Sequence, residues 1–323
     1  MTKTLITGAT GLVGYNIVHS LLKRGRKVRV LVRSAEKAEK LLPKEVEVVQ
    51  GDILDKNSLL HAIDGCTVIY HAAGLPEQWF RNPDIFQKVN VTGTQNIIDA
   101  CMRQNVEKLI YTSTIDVLQG KSGERFDETM LDPNPKGTFY ERSKQDAFRL
   151  VVKAVEKGLP AVYVHPAGLY GPGPSSSPGF NQFIVDLKNG KVPMLLPGGL
   201  PLVFSEDVGE GHILAEENGA IGDSYILSDS YYTLPDLAAI VIHALNMNKK
   251  TPPVMPLPVV RFISAAGEWL ANITGRPPLI PKGQLHFMLW GAIPNSVKAQ
   301  KELGWNPTKL PVGLEKTIKY LFP

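Results

Sequence analysis

Thr4-Leu5-Ile6-Thr7-Gly8-Ala9-Thr10-Gly11-Leu12-Val13-Gly14 is a short apolar run that breaks into three evenly spaced glycines. Thr4–Thr7 is too short for a helix and rich in strand formers, so it reads as a buried strand. From there, apolar residues at Leu12, Val13, Ile17, Val18, Leu21 and Leu22 follow helical spacing, and Gly25 closes the helix. Strand, glycine turn and helix in succession form the context in which a glycine motif holds a dinucleotide. Gly8 turns the chain off the strand, Gly11 leaves room for a pyrophosphate, and Gly14 lets the helix pack closely on a sheet. The helix N-terminus offers free N–H groups and partial positive charge to the phosphates. The spacing is G-x-x-G-x-x-G, a departure from the G-x-G-x-x-G of ordinary Rossmann dehydrogenases.

A chain of 323 residues accommodates one large or two smaller domains. Its 43 % hydrophobic and 20 % charged content is that of an ordinary globular protein. A net charge of +4 with scattered Lys and Arg makes no case for nucleic acid. Cys66 and Cys101 are too few for a disulfide framework and read as buried thiols in a reducing cytosol. The chain opens directly on a strand, so no signal peptide is expected, and no apolar run has the length of a membrane span. A cytoplasmic location is the resulting expectation. Pro258–Ile273 is amphipathic and suited to a membrane surface, although packing on the protein's own core is the preferred reading. The sequons at Asn90 and Asn272 are taken as chance.

Lys27–Arg33 reads as a second strand, and the residues at its end bear on the cofactor. An acid there would bind ribose hydroxyls, whereas an Arg accommodates a 2′-phosphate. The chain has Arg33 and Ser34 and no acid before Glu36, which favours NADP over NAD. The bland alternative is a solvated Arg after a strand. Glu45–Gln50, Thr67–Tyr70, Lys108–Thr112 and Ala161–His165 read as further strands, and Ser58–Ile63 (capped by Asp55), Val89–Arg103 and Tyr140–Val155 as helices. This alternation predicts an α/β fold with a doubly wound parallel sheet. After Pro166 the texture changes to Pro/Gly-rich loops, Gly171–Gly179 and Val192–Pro201. Helices are expected at Phe180–Lys188, Leu234–Leu245, Val259–Ile273, Lys298–Leu303 and Leu314–Leu321.

Tyr140 and Lys144 stand four apart, on one helix face. A Tyr hydroxyl is a poor acid–base group at neutral pH, but a neighbouring ammonium and an oxidised nicotinamide favour its phenolate. That pair alone is a weak signal. It gains weight from Tyr111-Thr112-Ser113-Thr114, a hydroxyl run at the carboxyl end of a strand, where open α/β sheets bind ligands.

With these pieces the chain resembles the extended short-chain dehydrogenase/reductase family. The resemblance rests on Thr7–Gly14, Gly51-Asp52-Ile53, His71-Ala72-Ala73-Gly74, Asn90–Thr94, Tyr111–Thr114, Tyr140–Lys144, His165–Gly173, Asp207-Val208 and Glu302–Pro307, and spans the whole chain. It lies nearest to dihydroflavonol-reductase-like and hopanoid-associated sugar-epimerase-like proteins, which share the Leu31-Val32-Arg33 strand end. The resemblance implies a Rossmann-type fold with a smaller C-terminal substrate domain: residues 1–170 and about 202–228 for the dinucleotide, 171–201 and 229–323 for the substrate. It implies that Gly8, Thr10, Gly11, Leu12, Val13 and Gly14 hold the pyrophosphate, and that Asp52 and Ile53 contact adenine. Ala72, Ala73 and Thr112 would line the cofactor, with Pro166 and Leu169 flanking the nicotinamide. Tyr140 would be the acid–base, Lys144 its partner on the nicotinamide ribose, and Thr114 the catalytic hydroxyl.

Two departures stand out. Thr114 occupies a position that is commonly Ser, and neighbouring Ser113 keeps the catalytic hydroxyl open. His165 replaces an Arg before the Pro, as a neutral structural residue or one that tunes the site's charge. His71 and His212 read as core, with no metal-ligand spacing, and Asp207 as fixing a loop. Many relatives are dimers built on helices at about 91–103 and 140–155.

Pocket walls are expected at Leu75–Pro83, Gln119–Phe126, Gly173–Phe180 and Val192–Leu202, carrying Trp79, Phe80, Phe126, Phe180, Met194, Leu195 and Leu196. A nucleotide-sugar needs cations for its diphosphate, and the second half is poor in Arg. A hydrophobic ketone or alcohol is therefore favoured for a reductase or dehydrogenase. The alternatives are a nucleotide-sugar epimerase or dehydratase with tightly held NAD, and a non-catalytic cofactor-binding protein. Intact Tyr140 and Lys144 speak against the last.

Overall fold

The computed structural model describes residues 3–174 and 179–323. In chain order the strands are β1 (Lys3–Thr7), β2 (Lys27–Val32), β3 (Glu47–Gln50), β4 (Val68–His71), β5 (Lys108–Thr112), β6 (Arg125–Phe126), β7 (Ala161–Pro166), β8 (Gly168–Tyr170), β9 (Gly199–Phe204), β10 (Ser224–Leu227), β11 (Ser230–Thr233) and β12 (Ile293–Pro294). Seven of them form one parallel sheet, in the order β3-β2-β1-β4-β5-β7-β10. Helices cover both faces, as the apolar strands require. Leu5, Ile6, Val30, Ile69, Ile110 and Val164 are fully buried between them. The winding reverses between β1 and β4, and there the carboxyl ends open a crevice. Gly8 follows β1 and Ala72 follows β4, so the glycine turn stands at the switch point.

A second apolar core lies beside the sheet. Phe180, Ile184, Leu202, Phe204, Leu237 and Leu314 pack in it, with β8, β9 and β11 forming a small sheet over it. Asp207 ties the chain's last part down: its carboxylate accepts from the Thr308 N–H and, at 2.9 Å, from the Thr308 hydroxyl. This is the loop-fixing role expected of it.

The helix at Ser205–Asn218 carries no clear apolar stripe, and no helix is expected there from sequence. It packs on the helix Leu12–Lys23 through small residues instead. A Cβ on Gly209 would lie 2.6 Å from the Asn16 carbonyl oxygen, so glycine lets the two backbones approach. The helices Ala35–Leu41 and Lys282–Trp290 are likewise additions to the sequence reading. The expected helix at 89–103 is a π-helical segment, Gln87–Thr92, running into an α-helix, Gly93–Gln104. The expected loop at 192–201 ends early, because β9 starts at Gly199 and pairs with β8 and β11.

Pro258–Ile273, expected to pack on the core, forms the helix Leu257–Thr274 but buries only Val260, Ser264 and Ala271. Its inner side meets a small cluster, Val260, Ile280 and Leu285, which is too narrow to cover it. Asn90 is buried, its amide donating to the Ser143 hydroxyl at 2.9 Å, so this sequon is not a surface acceptor. Both cysteines are free and buried.

Candidate active site

The turn after β1 is shaped by what a side chain would strike. Gly8 has φ +78°, and a Cβ there would lie 2.6 Å from Ala72 and Ala73 backbone atoms. A Cβ on Gly14 would lie 2.3 Å from the Gly8 carbonyl oxygen. The Gly11 N–H donates to that oxygen at 3.0 Å, which closes the turn. Gly11 caps the helix Leu12–Lys23 with extended backbone and no side-chain cap. The first N–H groups of that helix are left to an outside acceptor. A bare cradle backed by a helix N-terminus fits a dinucleotide pyrophosphate.

Across the crevice, Thr138 opens the helix Phe139–Glu156 with a reciprocal cap to Glu141, which fixes the first turn. Tyr140 lies in that turn, and Lys144 lies one turn further on. The Lys144 ammonium donates to the Thr112 carbonyl at 2.9 Å and stands 5.2 Å from the Tyr111 ring centre. Burial pulls its pKa down to about 8. The Thr114 hydroxyl donates to Asp116 Oδ2 at 2.8 Å and faces the Tyr140 phenol.

The chain's own groups act on the phenol in opposing directions. Burial pushes the Tyr140 pKa well above its ordinary value, the Asp116 charge adds to this, and the Thr114 hydroxyl opposes it. Among the chain's own groups burial and the neighbouring acids outweigh the Thr114 hydroxyl, so these groups by themselves favour the protonated phenol.

These groups share a cleft of about 550 Å³. Of the residues singled out from sequence, it is lined by Gly8, Gly11, Leu12, Val13, Gly14, Ala72, Thr112, Thr114, Tyr140, Lys144, Pro166 and Leu169. Thr10, Arg33, Ser34, Asp52, Ile53 and Ala73 are not part of that lining. Arg33 and Ser34 are exposed at the end of β2, one strand from the glycine turn. The Ser34 hydroxyl accepts from the Lys37 N–H at 3.2 Å and caps the next helix. Asp52 Oδ1 accepts from the Leu54 N–H, and Ile53 is buried beneath Gly93.

The far wall is mainly apolar, with Phe180, Phe183, Val192, Met194, Leu195, Leu196, Leu200 and Met288, and it also carries Gln182, Asp186 and Gln284. One expected wall is displaced and another lines the cleft only in part. Gln119–Phe126 does not line the cleft, because Phe126 is buried against Trp290, with ring centres 5.0 Å apart. Of the expected Leu75–Pro83 wall, Leu75, Pro76 and Glu77 line the cleft, whereas Trp79 and Phe80 do not, and Phe80 packs on Phe86 instead. Part of the expected Gly173–Phe180 wall, residues 175–178, lies outside the described residues.

Three acids that were not singled out from sequence line the cleft: Asp116, Glu77 and Asp186, whose carboxylate accepts from the Gln182 amide at 3.0 Å. Asp116 is buried, with Oδ1 lacking a partner among the described groups, and burial pushes its pKa up to about 7. Glu77 Oε2 is likewise buried and unpartnered, and burial, with Asp116 and Glu141, pushes its pKa up to about 7. Glu77 abuts the Lys282–Trp290 helix, where a Cβ on Gly283 would meet its Oε1 at 2.2 Å. The one signal for Asp116 is its place two residues after Thr114. Glu77 carries none, since its burial depends on a helix some two hundred residues away in the chain.

Ser113 lines the cleft with a buried hydroxyl that has no partner among the described groups. Burial pulls His165 down to about 4, and its ring contacts the Thr114 carbonyl and the Ser224 hydroxyl, both at 3.1 Å. It is a neutral structural residue. His71 and His212 are fully buried and held neutral, at about 3 and about 4. No metal-ligand cluster occurs among the described residues, and no helix among them is long and apolar enough to cross a membrane.

The parallel sheet, the glycine cradle at its switch point and the Tyr–Lys helix across the crevice define a dinucleotide-dependent Rossmann enzyme. The NAD dependent epimerase/dehydratase family model matches residues 4–227, and the chain belongs to this family, as an enzyme of the extended short-chain dehydrogenase/reductase type. It is 29% identical to a putative dihydroflavonol 4-reductase of Synechocystis sp., over 98% of this chain and 93% of that protein. It is 27% identical to the sterol demethylase protein B of Methylococcus capsulatus, over 94% of each. The crystal structure of gox2253 superposes with a TM-score of 0.84 at 32% identity, covering 99% of this chain and 98% of that one.

Proposed function

We propose that this protein is an NADP-dependent oxidoreductase that interconverts a carbonyl and an alcohol on a small hydrophobic substrate. The observation that carries this reading is the meeting of Tyr140, Thr114 and Lys144 in one cleft with the glycine cradle on one side and an apolar wall on the other. Bound NADPH would supply the hydride to the carbonyl carbon. Gly8, Gly11 and Gly14 leave space for the pyrophosphate, and the N–H groups of Leu12 and Val13 bind it. Lys144 orients the nicotinamide ribose from its seat on the Thr112 carbonyl. Thr114 holds the substrate oxygen, and Tyr140 gives that oxygen its proton as the carbon accepts the hydride. Arg33 and Ser34 take the 2′-phosphate. Residues 171–201 and 229–323 make the substrate domain.

Two observations support an apolar substrate. Lys144 is the one cation among the described lining residues, and it is already engaged. A diphosphate would need further cationic partners. The relatives named for a flavonol and a sterol point the same way.

The test is titration with NADPH and NADH, followed by tryptophan-to-nicotinamide energy transfer, then turnover on apolar ketones. NADPH preference lost in Arg33→Ala supports the reading. Tyr140→Phe should abolish turnover and leave NADPH affinity within about twofold, because the phenol acts on the proton and not on cofactor binding. Undiminished turnover in Tyr140→Phe overturns the mechanism. Tightly retained NAD in the purified protein transfers the site to an epimerase reading.

A further inference from the structure

The Leu257–Thr274 helix turns an apolar face to solvent. Phe262 is 74% exposed, Trp269 67% and Ile273 61%, with Leu279 in the following connection at 89%. Positions 259, 262, 266, 269, 270 and 273 fall on one side of a helix, so the exposed apolar groups form one stripe. The helix packs chiefly on the Lys282–Trp290 helix. That neighbour offers Phe287 and Met288 to the cleft. A single helix layer thus separates the outward face from the substrate wall.

The charges around the face that have no ion-pair partner among the described residues are positive. Glu268 is neutralised by Lys282, 3.1 Å away. Arg261 and Arg276 are exposed and have no ion-pair partner among the described residues. Arg81 adds a third guanidinium beside Gly275, at the helix's C-terminal end.

We propose that this face docks the protein on the surface of an anionic lipid bilayer. The helix lies in the interfacial plane, with Phe262 and Ile273 in the acyl boundary and Trp269 at the headgroups. Arg261, Arg276 and Arg81 meet the lipid phosphates. A second copy of the chain is the poorer occupant, because a symmetric contact would bring like-charged arginines together. Docking places the apolar cleft beside the bilayer, and the delivery of a lipid-dissolved ketone from there rests on the oxidoreductase reading.

The test is flotation of the full-length protein with phosphatidylcholine vesicles, with and without phosphatidylglycerol. Wild type should float with the anionic vesicles and far less with the neutral ones, and its tryptophan emission should shift to the blue. Trp269→Phe should lose that shift. Phe262→Ser/Trp269→Ser/Ile273→Ser, which alters exposed side chains only, should keep its melting temperature and lose binding by at least about tenfold. Arg261→Gln/Arg276→Gln should remove the preference for anionic lipid. Wild type that fails to float with either vesicle overturns the proposal, as does binding that survives the triple substitution. A wild-type dimer that the triple variant dissociates assigns the face to a second copy and also overturns it. Flotation is read without turnover, so failure of the oxidoreductase reading leaves this result intact.

Discussion

Replacing Asp116 with Asn should make the protein more stable at alkaline pH and remove part of its pH dependence. An Asp carboxyl in an unfolded chain titrates near 3.8, and in the fold burial pushes Asp116 up to about 7. The folded state therefore holds the proton more tightly than the unfolded state. Between these two values the unfolded chain has released the proton and the folded chain has not, so stability falls as pH rises through the window. Above it the loss is complete. About 3 pH units at about 1.4 kcal/mol each give a cost of at most about 4 kcal/mol, of which about 3 falls between pH 5 and pH 8. Asn has no proton to lose and still offers an oxygen to the Thr114 hydroxyl. Urea unfolding of both proteins without cofactor, at pH 5 and pH 8, reads the difference. Wild type should lose about 3 kcal/mol more than Asp116→Asn over this interval, and the variant should be the more stable at pH 8. Glu77 titrates in the same direction in both proteins, and because the Asp116 charge contributes to its shift, the difference between the profiles reads Asp116 together with its coupling to Glu77. Parallel pH profiles, or a variant weaker than wild type at pH 8, would refute the reasoning that burial, aided by the Glu141 charge, keeps this carboxyl neutral.

Gly14→Ala should cost at least about 2 kcal/mol and abolish cofactor binding, because its methyl meets backbone atoms that cannot yield; a thermal melt and a fluorescence titration check both. Thr138→Ala removes the reciprocal cap before Tyr140 and should cost about 1 kcal/mol in urea unfolding. It should also lower kcat more than it weakens NADPH binding, since the first turn carries the phenol.

Much of the fold was legible because local rules and global packing agree along the first half. Thr4–Gly14 contains a strand, a turn and a helix start, each with its own residue signature, and the alternation that follows admits only a parallel sheet. The positions of the glycine cradle, Tyr140, Lys144 and Thr114 were legible for the same reason: each depends on spacing within one turn or one strand end. The Ser205–Asn218 helix was not, because glycine contacts across to Asn16 hold it rather than an apolar period.

The sequence by itself determined the dinucleotide-type sheet, the crevice at its switch point and the Tyr–Lys pair, since each follows from neighbours a few residues apart. Only the tertiary structure decided which side chains close the cleft. It moved Phe126 into the core, brought Glu77 against Gly283, and left Asp116 with an oxygen facing no partner among the described residues. It also decided that Phe262, Trp269 and Ile273 face outward, where their pattern suited a core equally well. Burial depends on what arrives from distant parts of the chain, and so do the protonation of Tyr140 and Asp116 and the exposure of that helix.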